Sequence, residues 1–112
     1  IIHESFPPAK IFAEKTGRSL EYTKHVAEEI HSSPMQVGEV FAETRPRLGV
    51  IYHMYNNHDI AEAAIRELLS VYDGRFTIGH DLMVINVGDE ITARSAVTGE
   101  KPWPVGIEIK NY

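Results

Sequence analysis

The sequence contains no cysteine, which excludes disulfide bonds and thiolate metal sites. It has no apolar run near the roughly 18 residues that a membrane-spanning helix needs, and no secretory pattern of basic start, apolar stretch and cleavage site. Basic residues are outnumbered, with 11 Lys and Arg against 16 Asp and Glu, for a formal net charge of −5. A chain of this charge is poorly suited to bind nucleic acid. We therefore expect a cytoplasmic protein that contacts neither membranes nor nucleic acid.

What the 112 residues do contain is typical of a globular chain, with 43% hydrophobic and 24% charged residues. One domain is the natural expectation at this length. Six histidines are present, and the chain opens on Ile1-Ile2-His3 without a methionine. An apolar start of this kind is typical of the interior of a strand. We therefore expect these residues to belong to a longer protein.

Hydrophobic periodicity and turn residues predict an α/β chain in the order β-α-α-α-β-α-β-β-β. Ser19 is expected to cap the second helix, which runs to His31, and Ser33 the third, where Pro34 and Gln36 complete a capping-box pattern. Asp59 with Glu62 predicts the same pattern for the fourth helix, with Gly74 at its end. The last three strands are predicted at 75–78, 82–87 and 90–94.

Two predicted buried strands, at 1–3 and 48–53, both lead into a histidine. Ligands of open α/β sheets bind beyond the carboxyl ends of the strands. If the two strands are parallel, Glu4 and His53 lie at the same edge, and His31, just before a helix, can face it too. Glu4, His31 and His53 are therefore one candidate site, suited to metal binding or to general acid/base chemistry.

Each of these residues also has a plainer interpretation. His53 could be a strand-end histidine without a metal, and His31 could stabilise the end of the preceding helix, where cations are favoured. Glu4 could make an ordinary loop hydrogen bond. Ser33 is better explained as a helix cap than as a nucleophile, because no general base stands at a fixed spacing from it.

Four ordered sequence blocks resemble segments of ribonuclease Z. IHESF at 2–6 is similar to that family's I-H-E-A-T-F, and HSSPMQ at 31–36 to its H-S-T-x-x-Q. RLGVIYH at 47–53 is similar to K-R-L-x-L-T-H, and FTIGHDLMVI at 76–85 to v-x-x-A-x-D-G-M-x-I. The ordered set is more specific than any one block. The chain thus resembles the C-terminal half of a metallo-β-lactamase-fold hydrolase of the ribonuclease Z-like branch.

The resemblance implies half of an αββα sandwich over residues 1–98, followed by a C-terminal tail at 99–112. It further implies two metal ions, usually zinc with other divalent metals as an alternative, and a metal-bound hydroxide as nucleophile. His53 matches the family's last histidine metal ligand. His31 matches a histidine that acts on the leaving group or stabilises developing charge, and Glu4 matches the carboxylate that orients it.

The chain departs from the family at several positions. The main metal motif, H-x-H-x-D-H, is absent, so we expect the 112 residues alone to be inactive and to need the preceding half as partner. Tyr52 replaces the threonine of L-T-H, and Leu82 replaces the glycine of the last block. These changes point away from a tRNA-processing enzyme and towards a relative with another substrate, which we expect to be a small molecule. The alternatives are an inactive fragment or a non-catalytic association module, and the chain could form a homo-oligomer.

Overall fold

The computed structural model describes residues 1–55, 57–95, 97–98 and 101–102. The chain divides into a first compact unit, Ile1–Ile78, and a second that begins at Gly79. The elements of the first unit are β1 (Ile2–Glu4), α1 (Ala9–Thr16), α2 (Leu20–His25), a π-helical turn (Val26–Ile30), α3 (Pro34–Thr44), β2 (Gly49–Tyr52), α4 (His58–Leu69) and β3 (Phe76–Ile78). The mixed α/β class predicted from the sequence is confirmed.

Local capping signals place most helix ends where the sequence predicts them. The Ser19 side chain accepts a hydrogen bond from the backbone N–H of Tyr22. Ser33 and Gln36 form a reciprocal capping box, and Pro34 occupies the first turn of α3. These predictions are confirmed because each depends only on residues within one turn of the helix end.

The predicted ends of α4 are wrong. Asn57, not Asp59, caps this helix, and its side chain accepts from the backbone N–H of Asp59. The carboxylate of Asp59 is instead paired with Lys15. The helix ends at Leu69, well before Gly74. A Cβ at Gly74 would overlap the ring of Tyr72. The glycine therefore leaves room for the Tyr72 side chain and does not end a helix.

The predicted second helix has the expected extent but not a uniform geometry. After His25 the chain widens into the π-helical turn, and the backbone N–H of His31 donates to the carbonyl of Val26 at 3.0 Å. Periodicity does not reveal such a turn, because its 5 residues are too few to distinguish a wider helical repeat from the ordinary one. π-helical turns are rare and are often found at functional sites.

The first unit is built on a parallel sheet in the order β1-β2-β3. The first two strands are parallel, which is the condition for Glu4 and His53 to share an edge, with Ile2 opposite Val50 and Glu4 opposite Tyr52. Helices α3 and α4 pack against each other beside the sheet. The buried core cluster of this unit consists of Val37, Phe41, Ile51, Leu68 and Tyr72. The parallel pairing places the carboxyl ends of β1 and β2 side by side.

The second unit contains a hairpin of β4 (Met83–Val87) and β5 (Ile91–Ser95), followed by the short paired strands β6 (Val97–Thr98) and β7 (Lys101–Pro102). The hairpin agrees with the last two strands predicted from the sequence. The predicted tail at 99–112 lies outside the described residues, apart from β7.

Among the described residues, no helix has both the length and the apolar character needed to cross a membrane.

Candidate functional site

The fold brings Glu4, His31 and His53 together at the carboxyl edge of the sheet. Glu4 is the last residue of β1, and His53 follows the last residue of β2 in the neighbouring strand. His31 enters from the end of the π-helical turn. The nearest oxygen of Glu4 lies 3.3 Å from Nδ1 of His31, and the rings of His31 and His53 are 5.0 Å apart between centroids. The expected juxtaposition is therefore present.

Glu4 has two distinct oxygen environments. Its Oε1 accepts a hydrogen bond from the backbone N–H of Ser32 at 2.7 Å. Its Oε2 is buried, and among the described residues no donor reaches it in good hydrogen-bond geometry, although His31 Nδ1 lies close by. The sequence left open whether Glu4 makes a loop hydrogen bond or faces His31. Both contacts are present, one at each oxygen.

The His31 imidazole is held on two sides. Phe6 stacks on its ring at 4.8 Å between centroids with 15° between the planes, and Glu4 lies next to Nδ1. Two backbone hydrogen bonds fix the loop that carries Phe6. The N–H of Ser5 donates to the carbonyl of Tyr52, and the N–H of Phe6 donates to the carbonyl of Ser32. The His31 side chain is still 29% exposed. The ring is therefore fixed in position but accessible to a ligand.

His53 stands in an unusual backbone conformation. Its φ angle is +71°, in the left-handed region that glycine adopts readily and most other residues avoid. The residue is exposed, so no buried contact of the imidazole explains this geometry. Backbone strain of this kind persists where the surroundings enforce it and is often found at active sites. The conformation turns the chain sharply at the end of β2.

Taken by themselves, the described residues do not fit a zinc site. They contain no group of three or more His, Asp or Glu side chains arranged to hold a metal ion. Protein zinc sites use three or four ligands, and His53 would supply one. Glu4 and His31 instead have the arrangement of a carboxylate-oriented imidazole, which can donate or accept a proton.

Sequence reasoning missed the aromatic surroundings of the site. The rings of Tyr55, Phe12, Phe6, His31 and His53 follow one another in contact. The signal was available, because Phe6 and Tyr55 follow β1 and β2 by two and three residues at the edge already assigned to the site. The function of Ser33, by contrast, is accounted for by its cap of α3.

No protein-family model matches this chain, and no curated protein is similar enough to it to be counted as a relative. The function must therefore be inferred from the residues of the site and their geometry.

Proposed function

We propose that this chain forms part of a metallo-β-lactamase-superfamily hydrolase, of the ribonuclease Z-like branch, that cleaves an ester- or amide-like bond of a small-molecule substrate. The observation that supports it best is the Glu4–His31 pair, 3.3 Å apart and beside His53 at the carboxyl edge of a parallel sheet. This edge is where ligands bind in open α/β folds. Residues 1–98 would then form half of an αββα sandwich, with 99–112 as its tail.

In this proposal His31 is the general acid. Glu4 Oε2, 3.3 Å from Nδ1, would orient the imidazole and leave Nε2 free to donate a proton. As water attacks the ester or amide carbon, the bond to the leaving oxygen or nitrogen breaks and that atom takes the proton from Nε2. The proton released by the attacking water restores His31. The products are an acid and an alcohol or amine.

The resemblance also implies zinc, for which this chain would contribute His53. Because the described residues lack the other ligands, these would have to come from elsewhere in the complete protein. In that protein His53→Ala should lower the zinc content measured by atomic absorption. An unchanged zinc content would remove His53 as a ligand without affecting the acid/base role of His31.

The test of the acid/base role is the hydrolysis of a panel of activated esters, lactones and phosphodiesters by the protein expressed from its complete reading frame. His31→Gln should lower turnover by about 10²- to 10⁴-fold. His25→Gln is the control, because His25 is exposed on α2 and pairs with Glu29. Equal turnover in the two variants would refute the assignment.

One observation favours a second candidate, a non-catalytic association module. Ile2, the first residue of β1, is 66% exposed, and Ile1 just before it is 51% exposed; β1 is an edge strand of the described sheet. Exposed apolar edge strands are prone to pair with another chain. If the chain is such a module, analytical ultracentrifugation should show it in a complex with another chain, and the substitution Ile2→Lys should prevent that complex from forming. A monomer that hydrolyses a substrate would favour the enzyme instead.

A further inference from the structure

We infer that the substrate carries an uncharged, flat aromatic group, which binds along the ring row formed by Tyr55, Phe12, Phe6, His31 and His53. This inference rests on the proposed function, since it names the class of substrate that would reach His31.

The ring row is continuous. Tyr55 lies nearly parallel to Phe12 at 5.9 Å, and Phe12 meets the Phe6 ring edge-on at 5.0 Å. Phe6 stacks on His31 at 4.8 Å, and His31 contacts His53 at 5.0 Å. These spacings are typical of favourable aromatic pairs. The row therefore forms a surface of ring faces and edges that reaches His31, the proposed general acid, and ends at His53.

The ring row is assembled from separate segments of the chain. Phe12 belongs to α1, Phe6 to the loop after β1, His31 to the end of the π-helical turn, and His53 and Tyr55 to the loop after β2. A stripe of aromatic residues on one helix usually serves the core. Rings gathered from several loops at a ligand-binding edge are more typical of a binding site.

The outer end of the ring row is exposed but held in place. Tyr55 is 54% exposed even though its ring stacks on Phe12. Lys15, one turn after Phe12, forms an ion pair of 2.9 Å with Asp59, four residues after Tyr55. This pair connects the two segments that carry the outer rings. It also neutralises two charges close to them in sequence, which suits an uncharged group at this end.

The orientation of the ligand follows from the two ends of the ring row. If the aromatic group of the substrate lies against Phe12 and Tyr55, the ester- or amide-like bond attached to it would point towards His31. A flat ring gains stacking and dispersion energy on these faces that a puckered ring of equal size does not. The structure thus predicts selection for planarity.

The test is a titration of the protein expressed from its complete reading frame, followed by ¹H–¹⁵N NMR, with 2-naphthol and with 2-decalol, its saturated counterpart. Naphthol should shift the amides of Phe6, Phe12 and His31 and bind at least about threefold tighter than decalol. Equal affinity for the two alcohols, or no shifts at these amides, would overturn the inference.

Two variants of the ring row, one at a tyrosine and one at a phenylalanine, locate the binding. Tyr55→Leu should weaken naphthol binding by about threefold to tenfold, and Phe12→Leu should do the same. Tyr22→Leu is the matched control, because Tyr22 is similarly exposed, at 47%, but lies on α2 against Arg18. Equal losses at Tyr22 and Tyr55 would show nonspecific binding and would overturn the inference.

These measurements are independent of turnover. If His31→Gln leaves hydrolysis unchanged while naphthol binds as described, the proposed function fails and the aromatic site stands. If His31→Gln abolishes hydrolysis while naphthol and decalol bind with equal affinity, the aromatic site fails and the proposed function stands.

Discussion

The backbone N–H of Ser32 donates to Oε1 of Glu4 at 2.7 Å. This bond joins the end of β1 to the residue after His31, which is far away in sequence. The same carboxylate presents its other oxygen to His31 Nδ1. One side chain therefore both ties two segments together and orients the imidazole, so its structural and chemical contributions can be separated by mutation.

Glu4→Ala should lower the free energy of unfolding by about 1–3 kcal/mol, because the partly buried Ser32 N–H loses its acceptor. Glu4→Gln should lower it less, since an amide oxygen can still accept that bond. Urea denaturation of each variant measures the difference. Glu14→Ala, at an exposed position of α1, should stay within about 0.5 kcal/mol of the parent. Equal stability of Glu4→Ala and Glu14→Ala would show that the Ser32 bond contributes little.

Those parts of the structure that are encoded locally could be predicted from the sequence. The caps at Ser19 and Ser33 depend on side chains within one turn, and both were predicted. The grouping of Glu4, His31 and His53 also follows from the general geometry of parallel strands, which places the carboxyl ends of β1 and β2 together.

What could not be predicted depends on contacts between distant segments. Asp59 resembles a helix cap in sequence, but its carboxylate pairs with Lys15 of another helix, and Asn57 caps instead. Gly74 resembles a helix end, but it accommodates the Tyr72 ring. The widened turn before His31 has no sequence signature. In each case a tertiary contact or backbone distortion outweighs the local pattern.

The left-handed backbone of His53 predicts opposite effects for two substitutions. His53→Gly should raise the free energy of unfolding by about 0.5–1 kcal/mol, because glycine adopts a φ of +71° without strain. His53→Val should lower it by about 1–2 kcal/mol, because a β-branched residue is strained there. Thermal unfolding of both variants provides the measurement. A lower stability for the glycine variant would mean that the imidazole contacts outweigh the strain.

Asp59 should stabilise the fold at neutral pH. Its hydrogen bond and charge attraction to Lys15 lower the pKa of the carboxyl below the ordinary value of 3.8. A carboxyl with a lowered folded-state pKa contributes stability above its unfolded pKa and loses it as the pH falls through the folded pKa. Asp59→Asn should therefore be less stable than the parent at pH 7, by a margin that shrinks in acid. A constant margin down to pH 2 would contradict this linkage.

Glu67 should show the opposite dependence. Burial, and then the nearby Glu28, raise the pKa of this half-buried carboxyl above the ordinary value of 4.5. Its favourable contribution is complete below the unfolded pKa and is lost as the pH rises through the folded pKa. Glu67→Gln should therefore be more stable than the parent at pH 7, by less than about 1 kcal/mol because water screens the charge. In urea titrations the stabilities of Glu67→Gln and the parent should converge near pH 4. A glutamine variant that is less stable than the parent at pH 7 would contradict the raised pKa of Glu67.

The π-helical turn predicts that chain length before His31 matters more than the identity of its residues. Deleting Glu29 should convert Val26–Ile30 to ordinary helix and turn His31 away from Glu4. A shift of about 1 Å at a catalytic group can lower turnover by about 10²-fold. Helix content by circular dichroism should be retained. Glu29→Ala, which keeps the length, is the control and should remain active. Equal turnover in the two variants would show that the wide turn does not position the imidazole.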